Sequence, residues 1–235
     1  MKKIIQFLLP LIISSQLFAI AGFGAYGDFD LLKYPSGTSG DLTTYGVDYK
    51  GFNNPKGFGF LFYIDAIPVV DLEADMEFVG NLYEYTPYLA GAALSTQELP
   101  WGRVSTYLTV RKEILGLSIP LLAKAQLYGG IGFNKHKVIP IMTAEVIKDA
   151  FNTNDLEAAI NNFGPGADPN QAAKDLAKSM LDNAKNVTGF HLQAGLRGKL
   201  LMLNAFVNAR YTIAKDVIPD KSGYPSLWVG LAFGI

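Results

Sequence analysis

Four carboxylates occur at every second position of one short segment. Asp71, Glu73, Asp75 and Glu77 alternate there with apolar or small residues. Because side chains on a β-strand point to opposite faces in turn, all four acids share one face, about 7 Å apart. This spacing suits a row of ion pairs better than a single calcium site or a catalytic pair, so the segment predicts an acidic strand face that needs cationic partners.

The same alternation, followed along the chain, divides the charges between two halves of a sheet. The acids that face one way on the first three predicted strands are Asp28, Asp30, Asp65, Asp71, Glu73, Asp75 and Glu77. The cations on the same face of four later strands are Arg103, Arg111, Lys124, Arg197, Lys199 and Arg210. If the sheet closes, these groups meet and pair into a plug, because an eight-stranded lumen is just filled by side chains. The alternative is a narrow ion path through the lumen.

Other chemistry has little support. Cysteine is absent, and the chain has 2 histidines. His191 is expected to face inward as a packing residue, and His136 to be a solvated residue at the start of a loop. The glycines from Gly129 to Gly132 precede neither a helix nor a lysine, which excludes a phosphate loop. We therefore predict no catalytic residue, cofactor or metal site, and the net charge of -1 gives no reason to expect nucleic-acid binding.

Eight segments of about ten residues carry period-two alternation, which is the length and pattern of a transmembrane strand. They cover 22–31, 57–66, 69–79, 103–114, 120–133, 187–199, 202–213 and 225–235. The mature chain has no apolar run that reaches a dozen residues, and only 17% of the chain is charged. In lipid, backbone groups must pair internally, so spans made of strands have to close. We predict an all-β fold, an antiparallel up-and-down transmembrane β-barrel; a soluble secreted β-sandwich is the alternative.

The connections support an even strand count, because long and short ones alternate as in bacterial barrels. The long ones are 32–56, 80–102, 134–186 and 213–224, and the short ones are 65–68, 115–119 and 200–201. The segment 43–52 also alternates, and we interpret it as a strand above the membrane in the first loop. If it crosses the membrane, the barrel has ten strands instead of eight.

The third long loop, 141–186, changes to helical periodicity. The pattern predicts helices over 142–151 and 154–163. A third starts at Asp168, where an N-cap residue is followed by Pro169 and, three residues after the cap, by Gln171. We expect these helices to pack on each other and cover the mouth of the barrel, and we keep an extracellular partner as the alternative.

The N-terminus has the features of an export signal. Lys2 and Lys3 precede an apolar stretch from 4 to 18, and Ala19-Ile20-Ala21 forms a small-x-small cleavage site. The stretch is shorter than the roughly 20 residues of a membrane-spanning helix. We predict a signal peptide over 1–21 and a barrel domain over 22–235.

The last eight residues resemble the C-terminal assembly signal of small bacterial outer-membrane β-barrel proteins. Gly230, Phe233 and Ile235 fill its glycine, third-last and last positions, whereas Trp228 stands where the family prefers a polar residue, and the family prefers a terminal phenylalanine. The resemblance implies insertion into the outer membrane of a Gram-negative bacterium by the barrel-assembly machinery, with membrane lipid as a partner. Members of this class are linkers, adhesins, solute pores or lipid-modifying enzymes. We expect a non-enzymatic surface protein that anchors extracellular loops, with 141–186 as a possible partner surface; the alternative is a narrow channel for small solutes.

Overall fold

The computed structural model describes residues 21–65, 70–119, 122–155, 157 and 169–234. Several predictions lie outside these ranges: the signal peptide before Ala21, most of the second helix at 154–163, the cap at Asp168, and Ile235. These remain predictions from the sequence. Everything below concerns the described residues.

Thirteen strands and two helices form the described part of the chain. The strands are β1 (Ala21–Asp30), β2 (Lys33–Tyr34), β3 (Gly37–Gly40), β4 (Tyr45–Tyr49), β5 (Phe52–Asn53), β6 (Lys56–Ile64), β7 (Asp71–Leu89), β8 (Ala92–Ala93), β9 (Gln97–Ile119), β10 (Ala123–Val138), β11 (Lys185–Leu200), β12 (Leu203–Ile213) and β13 (Gly223–Gly234). The helices are α1 (Ala144–Ala150) and α2 (Pro169–Asp182).

Eight of these strands close into an antiparallel barrel. Their order is β1, β6, β7, β9, β10, β11, β12 and β13, with β13 paired back to β1. Each barrel strand therefore pairs with its predecessor and its successor in the chain, apart from the short extra strands. The predicted up-and-down barrel of eight strands is confirmed. The segment at 43–52 forms β4, which pairs with the outer part of β7 from Tyr85 to Leu89, so it extends the sheet above the barrel and adds no ninth span.

The two faces of the barrel wall differ in chemistry. Phe60 and Phe133 point outward and are 54% and 65% exposed, whereas the inward Glu77 and Arg111 are 0% and 1% exposed. An apolar exterior around a charged interior is the reverse of a soluble β-sandwich and is the arrangement of a barrel surrounded by lipid. No helix in the described ranges has the length and apolar character needed to span a bilayer.

Two predicted connections are strand in the structure. Most of 80–102 belongs to a long hairpin of β7 and β9, which pair as far as Tyr85 and Gln97. The predicted turn at 115–119 lies within β9, and the chain reverses between Ile119 and Ala123. A β-bulge explains the second error. Leu115 pairs with Leu127 and Glu113 with Tyr128, so Ile114 is an extra residue that interrupts the alternation on which the prediction depended.

The helical insert is confirmed where it is described. The Thr143 hydroxyl caps α1 by accepting from the Val146 N–H, and a second contact joins the two helices, in which the Ser179 hydroxyl donates to the Val146 carbonyl at 3.3 Å. Leu176 and Met180 on α2 are buried, whereas Leu181 is 55% exposed. The two helices therefore pack through one narrow face.

We expect the replacement Ile131→Arg to destabilise the barrel by about 2–4 kcal/mol, because it places a charge on the lipid face near mid-height of β10. The matched control is Thr188→Arg, which is also outward but lies beside Lys135 at the outer end of the wall. That change should cost about 0–1 kcal/mol. Urea unfolding of protein refolded in lipid vesicles measures both, and equal effects would show that the lipid boundary lies elsewhere.

Candidate functional site

Arg103 on β9 organises the upper lumen, which is the half of the barrel interior nearer the long loops. Its Nη2 donates to Asp30 Oδ2 at 2.8 Å and to Glu77 Oε1 at 2.7 Å, and all three side chains are fully buried. Asp30 lies on β1 and Glu77 on β7, so one guanidinium joins three strands. Charge-assisted contacts of this length are the strong ones in proteins, and they tie the arginine in place.

Arg210 on β12 forms the second bridge, from the opposite wall. Its Nη2 donates to Asp75 Oδ2 at 2.7 Å, and its Nη1 lies 3.4 Å from Glu77 Oε2. Glu77 therefore receives one arginine on each carboxylate oxygen. This shared acid joins the two bridges into one network across the lumen.

The lower lumen repeats the arrangement with a second arginine pair. Arg111 donates to Asp65 Oδ1 and to Glu73 Oε2, both at 2.7 Å, while its Nε is 4.0 Å from Asp71. Arg197 Nη1 lies 3.1 Å from the other oxygen of Asp65. Gln193 links the halves, since its amide donates to Glu73 Oε1 at 2.7 Å and its carbonyl accepts from Arg210 Nε at 3.4 Å.

Most of the predicted lumen charges are brought together by the barrel, and three are not. Lys124 pairs with Glu113 near the inner rim, at half-exposed positions. Lys199 makes no ion pair within the described ranges. Asp28 is buried, and neither of its oxygens has a hydrogen-bond partner among the described residues.

Aromatic rings stack on these arginines, a feature that the sequence reasoning did not predict. The Arg210 guanidinium lies 3.7 Å from the centroid of the Tyr107 ring, and that of Arg197 lies 4.2 Å from the Tyr63 ring. Arg111 lies 5.0 Å from Tyr128. Cation–π contacts strengthen when water is excluded. All three tyrosines occupy inward positions of the alternating pattern, and this position is the signal that would have located them.

Glycines on the inner face make room for the rings. A side chain at Gly59 would overlap the Tyr26 ring, and one at Gly22 would overlap Tyr63. Close approach of this kind requires the absence of a Cβ atom. The lumen is therefore filled to its walls by large side chains, as expected for a barrel of this size.

Both histidines line the lumen, which corrects one prediction. His136 was expected in a loop but lies in β10, 0% exposed, with Nδ1 2.8 Å from Ser105 Oγ. β10 continues to Val138 because inward Asn134 and His136 find polar partners while outward Lys135 and Lys137 remain exposed. His191 faces inward as predicted, 2.9 Å from Thr109 Oγ1. The rings of both histidines make T-shaped contacts with the Tyr107 ring, with centroids 5.6 Å and 5.2 Å away.

An apolar cluster lies above the charges, and we call it the outer cluster. It combines the first loop, the outer parts of β7, β9 and β10, both helices and the last loop. Its largest members are Tyr34, Phe52, Tyr83, Tyr85, Trp101, Met142, Ile147, Met180, Ile218 and Tyr224. The described parts of the insert, 141–155 and 169–186, thus pack against the outer ends of the strands.

Polar contacts fix α1 to the first loop. Ser39 Oγ accepts from the Ala144 N–H at 3.0 Å and donates to Glu145 Oε2 at 3.2 Å. The pKa of Glu145 is lowered, chiefly by its own backbone N–H and further by the hydroxyls of Thr143 and Ser39. In the same loop, hydrogen bonds from Thr43 lower the pKa of Asp41. Both carboxylates are therefore charged at neutral pH and hold the loop in this position.

The closed wall, its apolar band and its charged interior define the chain as a small transmembrane β-barrel of eight strands. No protein-family model matches the sequence, and no curated protein matches it. The assignment to this class therefore rests on the fold of the chain itself.

Solved structures with a similar course of the chain are outer-membrane or surface proteins. The outer membrane protein OprG from Pseudomonas aeruginosa is 10% identical, with a TM-score of 0.46 over 94% of this chain and 98% of that one. Neisserial surface protein A is 12% identical, with a TM-score of 0.41 over 92% and 99%. Ail, the attachment invasion locus protein of Yersinia pestis, is 9% identical, with a TM-score of 0.40 over 92% and 98%.

We expect Arg111→Met to destabilise the barrel by about 3–5 kcal/mol, because it leaves the fully buried Glu73 and the partly buried Asp65 without this partner. Lys124→Met removes the half-exposed pair with Glu113 and should cost about 0–1 kcal/mol. Urea midpoints in vesicles give the comparison. Equal stability of the two variants would mean that the lower network contributes nothing beyond its packing.

Proposed function

We propose that this protein is a non-enzymatic surface protein of the bacterial outer membrane. Its barrel is a closed anchor that presents the extracellular loops. The observation that supports this most strongly is the filled lumen, in which four arginines are held by acids on β1 and β7 and by Asp65, directly after β6. A lumen occupied by a connected ionic network serves as a support, since every permeating ion would have to displace a paired group.

The outer surface gives the second argument. The long hairpin of β7 and β9, the short sheet of β3 and β4 and the two helices share the outer cluster. Forming such a core costs the conformational entropy of the many residues that become ordered, and a plain membrane anchor does not need it. A fixed, folded outer surface is typical of a protein that contacts something outside the cell. We infer that 141–186 is the partner surface.

The remaining assignments follow from the same proposal. The lipid of the outer membrane contacts the apolar wall, and the barrel-assembly machinery would recognise the strand that carries Gly230 and Phe233, which face the lumen and the lipid respectively. Export by the N-terminal signal peptide completes the route. A narrow channel for small solutes is the competing function.

Conductance separates these two functions. Purified protein in planar bilayers should show little steady single-channel conductance, because the arginine network blocks the lumen. The double variant Arg111→Ser and Arg197→Ser removes the two guanidiniums of the lower lumen but should conduct no better than wild type, because Arg103, Arg210 and the outer cluster still close the upper lumen. Large, stable openings by the wild-type protein would contradict the closed anchor and support a channel.

Labelling on cells tests which end faces outward, and the lack of native cysteine makes it clean. Leu181→Cys lies on α2, 55% exposed, and Leu201→Cys lies in the turn between β11 and β12, 60% exposed. A membrane-impermeant maleimide should label the first variant on intact cells and the second only after the outer membrane is opened. The reverse pattern would invert the proposed orientation.

A further inference from the structure

Asp28 is the one acid of the upper network that no ion pair reaches in the described part of the chain. The residue is 4% exposed, and both carboxylate oxygens lack a hydrogen-bond partner. Asp30 Oδ1 is also buried without a partner, although Oδ2 of the same carboxylate accepts from Arg103. Buried carboxylates are almost always paired, so three free oxygens in one place point to a missing positive charge.

The geometry fits one metal ion. One oxygen from each of Asp28, Asp30 and Glu77 lies within 4.8 Å of the other two. Calcium binds oxygen at about 2.3–2.6 Å, so two ligands on opposite sides of the ion are separated by about twice that distance. A single ion placed between the three carboxylates can therefore contact all of them.

The local charge points to a divalent cation. The upper lumen holds four buried carboxylates, those of Asp28, Asp30, Asp75 and Glu77, and two guanidiniums, those of Arg103 and Arg210. Two negative charges are left over. A monovalent ion would neutralise half of this excess, whereas one divalent ion neutralises all of it.

We propose that Asp28, Asp30 and Glu77 form a calcium site in the upper lumen. The three side chains offer only carboxylate oxygens, which favours a hard cation over zinc or copper. Calcium accepts irregular sets of carboxylate oxygens, each group binding through one or both oxygens, whereas magnesium demands a compact octahedron and keeps its own waters. The ion would connect β1 to β7 across β6.

The chain carries a built-in reporter for this site. Trp228 is the cross-strand partner of Asp28 in the register of β1 and β13, and both side chains face the lumen. Terbium, which replaces calcium at oxygen sites, emits when a neighbouring tryptophan is excited. The full chain, refolded in lipid vesicles and stripped with EDTA, should give terbium emission that saturates at one ion per protein and is displaced by calcium.

Two variants locate the ion. Asp28→Asn removes one anionic ligand and should weaken calcium binding, measured by equilibrium dialysis, on the order of 10- to 100-fold. Asp71→Asn is the matched control, an acid on the same face of β7 but six residues from Glu77 and so about 20 Å away. It should bind calcium as the wild type does. Trp228→Phe should lose most of the terbium emission while calcium uptake in dialysis is unchanged.

The main competitor is a proton shared between Asp28 and Asp30. In that case the wild type takes up no calcium, its melting temperature does not change between calcium and EGTA, and Asp28→Asn raises that temperature in both. Either this result or equal calcium binding by wild type and Asp28→Asn would overturn the proposal. Dialysis of the wild type needs no variant, and heat-modifiable migration on gels confirms that each variant has folded.

Discussion

The structure depends on ion pairing between the two halves of one closed sheet. Acids on β1 and β7, with Asp65 directly after β6, meet arginines from β9, β11 and β12, and each arginine reaches at least two carboxylates. Each half of the sheet carries buried charges of one sign on its inner face. Burying them without the other half would be unfavourable, because an unpaired buried charge costs far more free energy than a buried ion pair. The sheet must therefore close for two reasons. Backbone groups cannot remain unpaired in lipid, and the acids and arginines of the inner face must meet.

Packing of aromatic rings makes this network dense. Tyr63, Tyr107 and Tyr128 cover the guanidiniums, and inward glycines such as Gly22 and Gly59 accept the rings against the wall. The rings exclude water and so raise the strength of each ion pair. Above them, the outer cluster covers the outer end of the lumen with apolar side chains.

The barrel could be predicted from the sequence because the alternation of apolar and polar residues is a local pattern within each strand. Alternation at Leu72–Phe78, or along β11 and β12, sets which residues face lipid, and all eight strands were located in this way. The prediction failed at positions where the alternating pattern is interrupted or absent. The bulge at Ile114 shifts parity without any unusual residue type, and His136 was placed in a loop because its polar neighbours have no apolar alternation to reveal a strand. The unpaired state of Asp28, and its meeting with Glu77, depend on which strands close on each other, and no spacing along one strand encodes that.

The order of charges along the chain bears on how such a protein is made. The first three barrel strands carry the acids, and all four network arginines come later, the last of them on the seventh barrel strand. A nascent sheet of the first three barrel strands would therefore present an anionic inner face that repels itself. Stable early intermediates are disfavoured until the C-terminal strands arrive, so assembly becomes nearly all-or-none, and a truncated chain is left exposed to quality-control proteases instead of settling in the membrane as a partial barrel.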